Sequence, residues 1–238
     1  MTRPGRPTRG DELLLARISA AAGREHLGKR SATYTGAAHT ARTGTLWARG
    51  IAALPAFVPH RGPFTAKARD DARLDLYEHG ATIAVTGRIH VIRYDTTTVF
   101  GTSTLHRHDP ACDGTSCALT DIDGKRVVLH GGPEHGDAAE WCSAIQRGVT
   151  RAQLPQALAA LEEGGRLTFG DIWLTRDEIG YGELRAPWPR VRHLGAREGA
   201  VGLDIDGRWH GPGPRAAGVP NLCVLGALAE HLGPHGAR

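Results

Sequence analysis

A four-residue turn sequence occurs twice in this chain, and it restricts the fold more than any other feature. Asp-Ile-Asp-Gly stands at residues 121–124 and again at 204–207, each time followed by a basic residue. Asp-Gly between two short apolar runs favours a tight β-hairpin. An apolar stripe at helical spacing follows each hairpin, so strands, hairpin and helix recur in one order. We therefore expect two similar β-rich modules, each of which ends in a helix.

Helical segments are predicted at three places. The N-terminal one begins at Asp11, whose side chain is suited to cap a first turn. The other two follow the hairpins, at about residues 137–163 and 219–232. Pro155 lies inside the first of these two, where it is expected to mark a break or the first turn of another helix.

The segment between the N-terminal helix and the first strands shows no clear periodicity. Residues 30–70 are rich in Gly and Pro, which predicts a loop-rich connector. We therefore divide the chain into an N-terminal tail, helix and loop-rich extension at 1–72, a first module at 73–164 and a second module at 165–238. The predicted fold class is α+β, with two antiparallel β-barrels or sheets, each closed by its C-terminal helix.

Several stretches resemble known families. Residues 172–191 resemble the start of a bacterial pleckstrin-homology-like (PH-like) domain, a superfold of antiparallel strands closed by one helix. Residues 76–80, 87–97 and 173–178 are similar to an uncharacterised actinobacterial family, DUF6585, and that similarity extends over residues 73–233. The resemblance implies tandem PH-like modules. It implies no catalytic residue, because the family has no established activity to carry over.

The composition is that of an ordinary globular protein, with 40% hydrophobic and 23% charged residues. The longest apolar run, at residues 51–58, is far shorter than the ~20 residues that a membrane-spanning helix needs. Residues 1–10 lack the apolar stretch of a signal peptide, so we expect a cytoplasmic protein that can also lie at a membrane surface. The net charge is +4, and the basic excess lies in residues 1–75. Solvated surface arginines are the favoured explanation of that excess, and an anionic partner is the alternative.

Basic side chains in the predicted strands are the candidate binding residues. In PH-like folds such residues hold anionic groups at the open end of the barrel, through charge-assisted hydrogen bonds. The candidates are Arg88, His90, Arg93, Lys125 and Arg126 in the first module and Arg185, Arg190 and Arg192 in the second. The alternative is that these side chains only solvate a face. Nucleic acid is not expected as a partner, because only 5% of the residues are aromatic and single-strand binding needs stacking platforms.

One loop carries side chains that could bind a metal. His106, His108, Cys112 and Cys117 supply two imidazoles and two thiols, a ligand set that zinc favours. Their spacing fits no standard zinc finger, so a polar hairpin tip without metal is the favoured interpretation. We expect no cofactor, and zinc at this loop is the alternative.

Motifs of catalytic sites do not occur in the sequence. It contains no G-x-S-x-G nucleophile turn, no H-E-x-x-H zinc motif and no phosphate-binding G-x-x-x-x-G-K-[ST] loop. The leading hypothesis is a non-catalytic binding or scaffold protein that recognises a protein partner or an anionic membrane surface. The alternative is a metal-dependent enzyme that uses the His/Cys loop at residues 106–117. No catalytic residue is predicted.

Overall fold

The computed structural model of the chain describes residues 9–41, 70–101, 116–130 and 138–234. These residues form three α-helices and three antiparallel β-sheets, so the α+β class predicted from the sequence is confirmed. Within the described part of the chain, none of the three sheets closes on itself. None of the helices in that part is long and apolar enough to cross a membrane.

The first sheet has seven strands. They are β1 (Arg30–Ala41), β2 (Asp70–Tyr77), β3 (Gly80–Val85), β4 (Arg88–Arg93), β5 (Val99–Gly101), β6 (Ser116–Thr120) and β7 (Arg126–His130). They lie in the order β4-β3-β2-β1-β7-β6-β5, so β4 and β5 are the edge strands. Thr86 and Gly87 join β3 to β4 with φ angles of 47° and 74°, the left-handed conformations that a tight hairpin turn requires.

Strand β1 is the main departure from the sequence-based expectation of a loop-rich connector at residues 30–70. Residues 30–41 form a strand of 12 residues that pairs with β2 on one side and with β7 on the other. The strand is rich in Ala and Thr, and its local signal is weak because strand preference depends on packing against neighbours. Residues 42–69, the remainder of the expected connector, lie outside the described residues.

The second half of the chain also has seven strands, arranged in two smaller sheets. One contains β8 (Leu167–Phe169), β9 (Ile172–Leu174), β10 (Glu178–Tyr181) and β11 (Leu184–Pro187), and the other contains β12 (Val191–Arg197), β13 (Ala200–Ile205) and β14 (Arg208–His210). Asp206 and Gly207 join β13 to β14 with φ angles of 54° and 85°, as in a type I′ turn. The other Asp-Gly pair lies in the connection between the paired strands β6 and β7, so both predicted hairpins are confirmed.

Three helices pack on these sheets. They are α1 (Arg9–Arg24), α2 (Ala138–Glu162) and α3 (Leu222–Leu232). Helix α1 contacts β3 and β4, and α2 contacts α3. Helix α2 continues through Pro155, so the expected break is wrong. Ile145 and Val149 before the proline and Leu161 after it are all buried, and this packing on both sides stabilises one continuous helix.

One hydrophobic core extends through both halves of the chain. Its buried side chains come from the seven-stranded sheet, α2, both smaller sheets and α3. Asn221, directly before α3, adds polar links between the halves. Its Oδ1 accepts a hydrogen bond from the backbone N–H of Val99 at 2.7 Å, and its Nδ2 donates to Oε1 of Gln153 on α2 at 2.8 Å. The two halves are therefore joined through a shared core as well as by the chain itself.

Candidate binding groove between α1 and β4

The exposed side of α1 carries a stripe of residues beside the first sheet. An adjoining side of the helix is buried through Ile18, Ala21 and Ala22. The stripe consists of Leu13, Arg17, Ala20 and Arg24, all of which are exposed. Intervals of four, three and four residues keep these side chains on one face, as in the a/d seam of a coiled coil.

This stripe borders a groove of about 350 Å³ between α1 and the edge strand β4. Ile89 and Val91 of β4 form its floor together with Ala21 of the helix, and Arg17 and Arg24 stand on the helix side. Strand geometry explains the floor, because side chains two residues apart on a strand point to the same face. The groove therefore combines an apolar base with a basic rim.

One of the two exposed large hydrophobic side chains of the described residues, Ile122, also lies at this groove. Leu13 is 64% exposed at one end of the α1 stripe, and Ile122 is 45% exposed in the turn between β6 and β7. Ile122 forms part of the groove wall. One exposed apolar side chain is ordinary on a protein surface, but an exposed Ile beside a concave surface with an apolar floor indicates a binding site.

Hydrogen bonds fix the turn that carries Ile122. The backbone N–H of Ile122 donates to the carbonyl of Val91 at 3.0 Å, which attaches the turn to β4. Asp121 organises the turn itself, because its Oδ1 accepts from the backbone N–H groups of Asp123 at 3.0 Å and Lys125 at 2.7 Å. Asp is favoured in turns for this kind of local hydrogen bond. The first Asp-Ile-Asp-Gly sequence therefore sets the position of the groove wall.

His90 holds the same turn from the other face of β4. Its Nδ1 lies 2.7 Å from Oδ2 of Asp121, and both side chains are buried. Its Nε2 lies 3.5 Å from the hydroxyl of Thr40 at the end of β1. With the proton on Nδ1, the imidazole donates to the carboxylate, so each buried group has a partner. Because the imidazole is buried, the pair cross-links β4 to the turn rather than presenting a reactive base.

Several of the predicted binding residues form local ion pairs. The pairs are Arg93 with Asp95 at 2.7 Å, Lys125 with Asp123 at 3.2 Å and Arg190 with Asp206 at 2.7 Å. The hydrogen bond between Arg93 and Asp95 raises the pKa of the arginine and lowers that of the carboxyl. In each pair, the carboxylate offsets the positive charge of a side chain that the sequence predicted to bind a ligand.

The remaining predicted binding residues are spread over the surface. The guanidinium of Arg126 lies 4.5 Å from the centre of the Phe100 ring, and burial lowers the pKa of this arginine. Arg88 is exposed at the start of β4, and Arg185 and Arg192 are exposed in the second half of the chain. A binding role for the eight residues stays a prediction.

The predicted metal loop lies largely outside the described residues. His106, His108 and Cys112 are not described, whereas Cys117 is fully buried in β6. Contact with the thiol of Cys142, together with burial, raises the pKa of the Cys117 thiol. Within the described ranges, no group of three or more His, Cys, Asp or Glu side chains is placed to hold a metal ion. Zinc at this loop stays a prediction.

The residues that form the groove were not among the sequence-based candidates. The spacing of Leu13, Arg17, Ala20 and Arg24 is readable in the sequence, because an amphipathic helix with a second exposed stripe has a recognisable period. The contribution of Ile122 has no such signal. It depends on the approach of a hairpin turn to a strand that lies about thirty residues earlier in the sequence.

Comparison with known proteins gives a family but no activity. The model of a family described as "Family of unknown function (DUF6585)" matches residues 67–233, which is more than half of the chain. The match includes β2 to β14, α2 and α3, whereas α1 and β1 precede it. No curated protein matches the chain.

Proposed function

The chain belongs to the DUF6585 family, and we propose that it is a non-catalytic cytoplasmic protein that binds another protein through the groove between α1 and β4. One observation carries the proposal. Ile122, an exposed large hydrophobic side chain, lies at a concave surface whose apolar floor is formed by Ile89 and Val91, and Leu13 is exposed on the α1 stripe that borders this surface. Concentrated apolar exposure of this kind is typical of a surface that a partner covers.

We further propose that the chain consists of two tandem PH-like modules. Support comes from the repeated order of elements, since seven strands followed by one helix occur twice. The seven-stranded sheet includes β1 between β2 and β7, so the proposed first module begins at residue 30 rather than at 73. A PH-like fold does not fix a function, and the groove rather than the fold carries the binding proposal.

A protein partner fits the surface better than an anionic membrane does. Three predicted basic residues are already paired with neighbouring carboxylates, which reduces the charge available to a membrane. The floor of Ile89 and Val91 lies between α1 and the turn that carries Ile122, where side chains of a partner can insert.

Site-specific photo-crosslinking in cells that produce the protein tests the proposal. A photoreactive amino acid replaces Leu13 or Ile122 in the full chain, and it replaces the exposed Arg151 or Glu183 in matched controls. We expect positions 13 and 122 to capture the same protein, identified by mass spectrometry, and the controls not to capture it. Products that are equal at all four positions, or absent from positions 13 and 122, would overturn the proposal.

Vesicle binding separates the membrane alternative from the protein partner. The full chain is sedimented with neutral and anionic vesicles at low and high salt. We expect no salt-sensitive binding to anionic vesicles beyond that to neutral ones. Strong binding to anionic vesicles that salt weakens would replace the protein partner with electrostatic membrane recruitment.

A further inference from the structure

We infer that the groove takes an amphipathic α-helix of the partner with two acidic residues seven positions apart. The inference rests on the proposed function and adds the chemistry and shape of the occupant. The first observation is the stripe on α1, in which two exposed arginines alternate with Leu13 and Ala20. Such a seam pairs with a second helix that presents complementary side chains at the same intervals.

The spacing of the two arginines selects a helical occupant. Arg17 and Arg24 are seven residues apart on α1, which corresponds to about 10.5 Å along the helix axis at about 1.5 Å per residue. Two carboxylates at positions i and i+7 of a parallel or antiparallel helix have the same separation. In an extended strand, side chains on one face lie about 6.7 or 13.4 Å apart. The i, i+7 spacing of a helix therefore matches the separation of the two arginines more closely than a strand does.

The residues around the arginines favour close approach of a helix. Ala20 lies between them on the stripe, and its small side chain allows the backbone of a second helix to come near. Ile89, Val91 and Ile122 supply apolar surface for the residues between the two acidic positions, and Leu13 extends the exposed stripe one turn beyond Arg17. The occupant is therefore apolar along its centre and acidic at two points.

The charged side chains at the rim of the groove favour an acidic occupant. Arg17 donates through Nη2 to the backbone carbonyl of Gly87 at 3.2 Å, which holds its guanidinium beside the groove. Arg24 is exposed in the last turn of α1. Glu25 is the acidic residue that lines the groove, so positive charge predominates. Arginine binds carboxylates through paired hydrogen bonds, and two such contacts add selectivity for an acidic partner.

A designed peptide tests the inference directly. The probe is a fluorescent alanine-based helix of about 21 residues, long enough to be helical in water, with Glu at two positions seven apart and Leu between them. A control peptide has the same composition with the two Glu residues five apart, on different faces. We expect the full chain to bind the first peptide at least about tenfold more tightly than the second, measured by fluorescence anisotropy.

Charge reversal on the protein supplies the matched control. Arg17→Glu with Arg24→Glu is expected to weaken binding of the Glu peptide at least about tenfold and to create binding of a peptide with Lys at the same two positions. Arg147→Glu with Arg151→Glu reverses two exposed arginines on α2 and is expected to leave binding unchanged. Circular dichroism confirms that both double variants keep their fold.

The outcomes distinguish the inference from the proposed function. Equal binding of the two Glu peptides, no binding of either, or equal loss in both double variants would overturn the helical occupant. If photo-crosslinking at Leu13 and Ile122 still captured one protein, the binding function would stand with an occupant of another shape. If that capture also failed, both proposals would fall.

Discussion

Oδ2 of Asp121 lies 2.7 Å from Nδ1 of His90, and this buried contact joins the β6–β7 turn to β4 behind the groove. On the groove side, the next residue, Ile122, donates its backbone N–H to the carbonyl of Val91. The wall of the groove is thus attached to one strand by a side-chain contact and a backbone hydrogen bond. Changes at His90 or Asp121 are therefore expected to act on the groove without touching its surface.

Asp121→Asn tests this attachment. The substitution keeps the shape of the side chain, but the amide cannot accept from His90 and from the two turn N–H groups at once. We expect a loss of about 1–3 kcal/mol in the free energy of unfolding, measured with urea. We also expect faster hydrogen exchange at the amide of Ile122, measured by NMR.

Asp123→Asn is the control for that variant. Asp123 lies in the same turn, but its carboxylate is exposed and pairs only with Lys125 among the contacts described for its side chain. We expect a change of less than about 0.5 kcal/mol. Equal effects of the two variants would show that the contact with His90 does not hold the turn.

Asn221 provides a second test, of the joint between the two halves of the chain. Asn221→Ala removes the acceptor for the N–H of Val99 and the donor to Gln153, and it places Ala at a φ of 48° that Asn tolerates better. We expect a loss of about 2–4 kcal/mol in the free energy of unfolding. Urea unfolding followed by tryptophan fluorescence and by far-UV circular dichroism measures it.

The shape of the unfolding curve gives further information about the same joint. Because one core extends through both halves, we expect the two probes to report a single coincident transition in the wild type. Two separated transitions in the wild-type protein would contradict the shared core. If Asn221→Ala left the free energy of unfolding unchanged, the hydrogen bonds of Asn221 would add nothing to the stability of the joint between the two halves.

The parts of the fold that the sequence predicted are those with local causes. The turn at Asp206 and Gly207 follows from two residues that tolerate left-handed backbone, and α1 follows from a period of apolar residues. Strand β1 could not be predicted in this way. Ala38 pairs with Leu129 in β7, and such pairing with distant strands supplies the partners for the backbone N–H and C=O groups of β1.

The groove likewise combines features that a local sequence pattern predicts with features that depend on distant parts of the chain. The seam of Arg17 and Arg24 on α1 is a local pattern, but its meaning depends on which strand lies beside the helix. Among the basic residues predicted to bind a ligand, Arg93 pairs with Asp95 only two residues away, a contact that the sequence could have indicated. Arg190 pairs with Asp206, sixteen residues later, and no local pattern indicates that contact. Local patterns thus predicted the elements, whereas the fold decides part of which side chains are available for binding.

A third prediction concerns the packing of the second half. Gly202 in β13 lies beneath the Trp209 ring, and an added Cβ would meet that ring and would lie 2.7 Å from the carbonyl oxygen of His210. The guanidinium of Arg197 lies 4.3 Å from the ring centre. We expect Gly202→Ala to lower the free energy of unfolding by about 1–3 kcal/mol, because the ring must move to accept the methyl group.

Gly226→Ala is the matched control for Gly202→Ala. Gly226 lies within α3, where an added Cβ meets nothing within 4 Å. We expect this change to stabilise the protein by about 0.5–1 kcal/mol through helix propensity. Thermal unfolding separates the two variants, and near-UV circular dichroism reports the Trp209 environment. If Gly202→Ala were as stable as the wild type, the close packing of Trp209 would be contradicted.

The last prediction is an acid dependence of stability that comes from Asp75. Its side chain is fully buried in β2, where Arg73 donates to both carboxylate oxygens at 2.7 and 2.9 Å and the hydroxyl of Thr33 donates at 2.6 Å. Burial raises the pKa of Asp75, but the hydrogen bonds from Arg73 and Thr33 outweigh it, so the net pKa is lowered. The folded state therefore binds fewer protons than the unfolded state near the ordinary pKa of about 3.9. This contribution to stability is complete above that pH and is lost as the pH falls through the lower folded-state value.

Asp75→Asn removes the titrating group and isolates its effect. We expect the variant to be about 2–3 kcal/mol less stable than the wild type at pH 7, because the charge-assisted hydrogen bonds are lost. Urea unfolding from pH 7 to pH 2 should show this difference shrinking below about pH 4, since the wild type loses the stabilisation that the variant never had. A difference that stays constant down to pH 2 would mean that Asp75 does not titrate in this window, contrary to the direction of its pKa and the contacts that cause it.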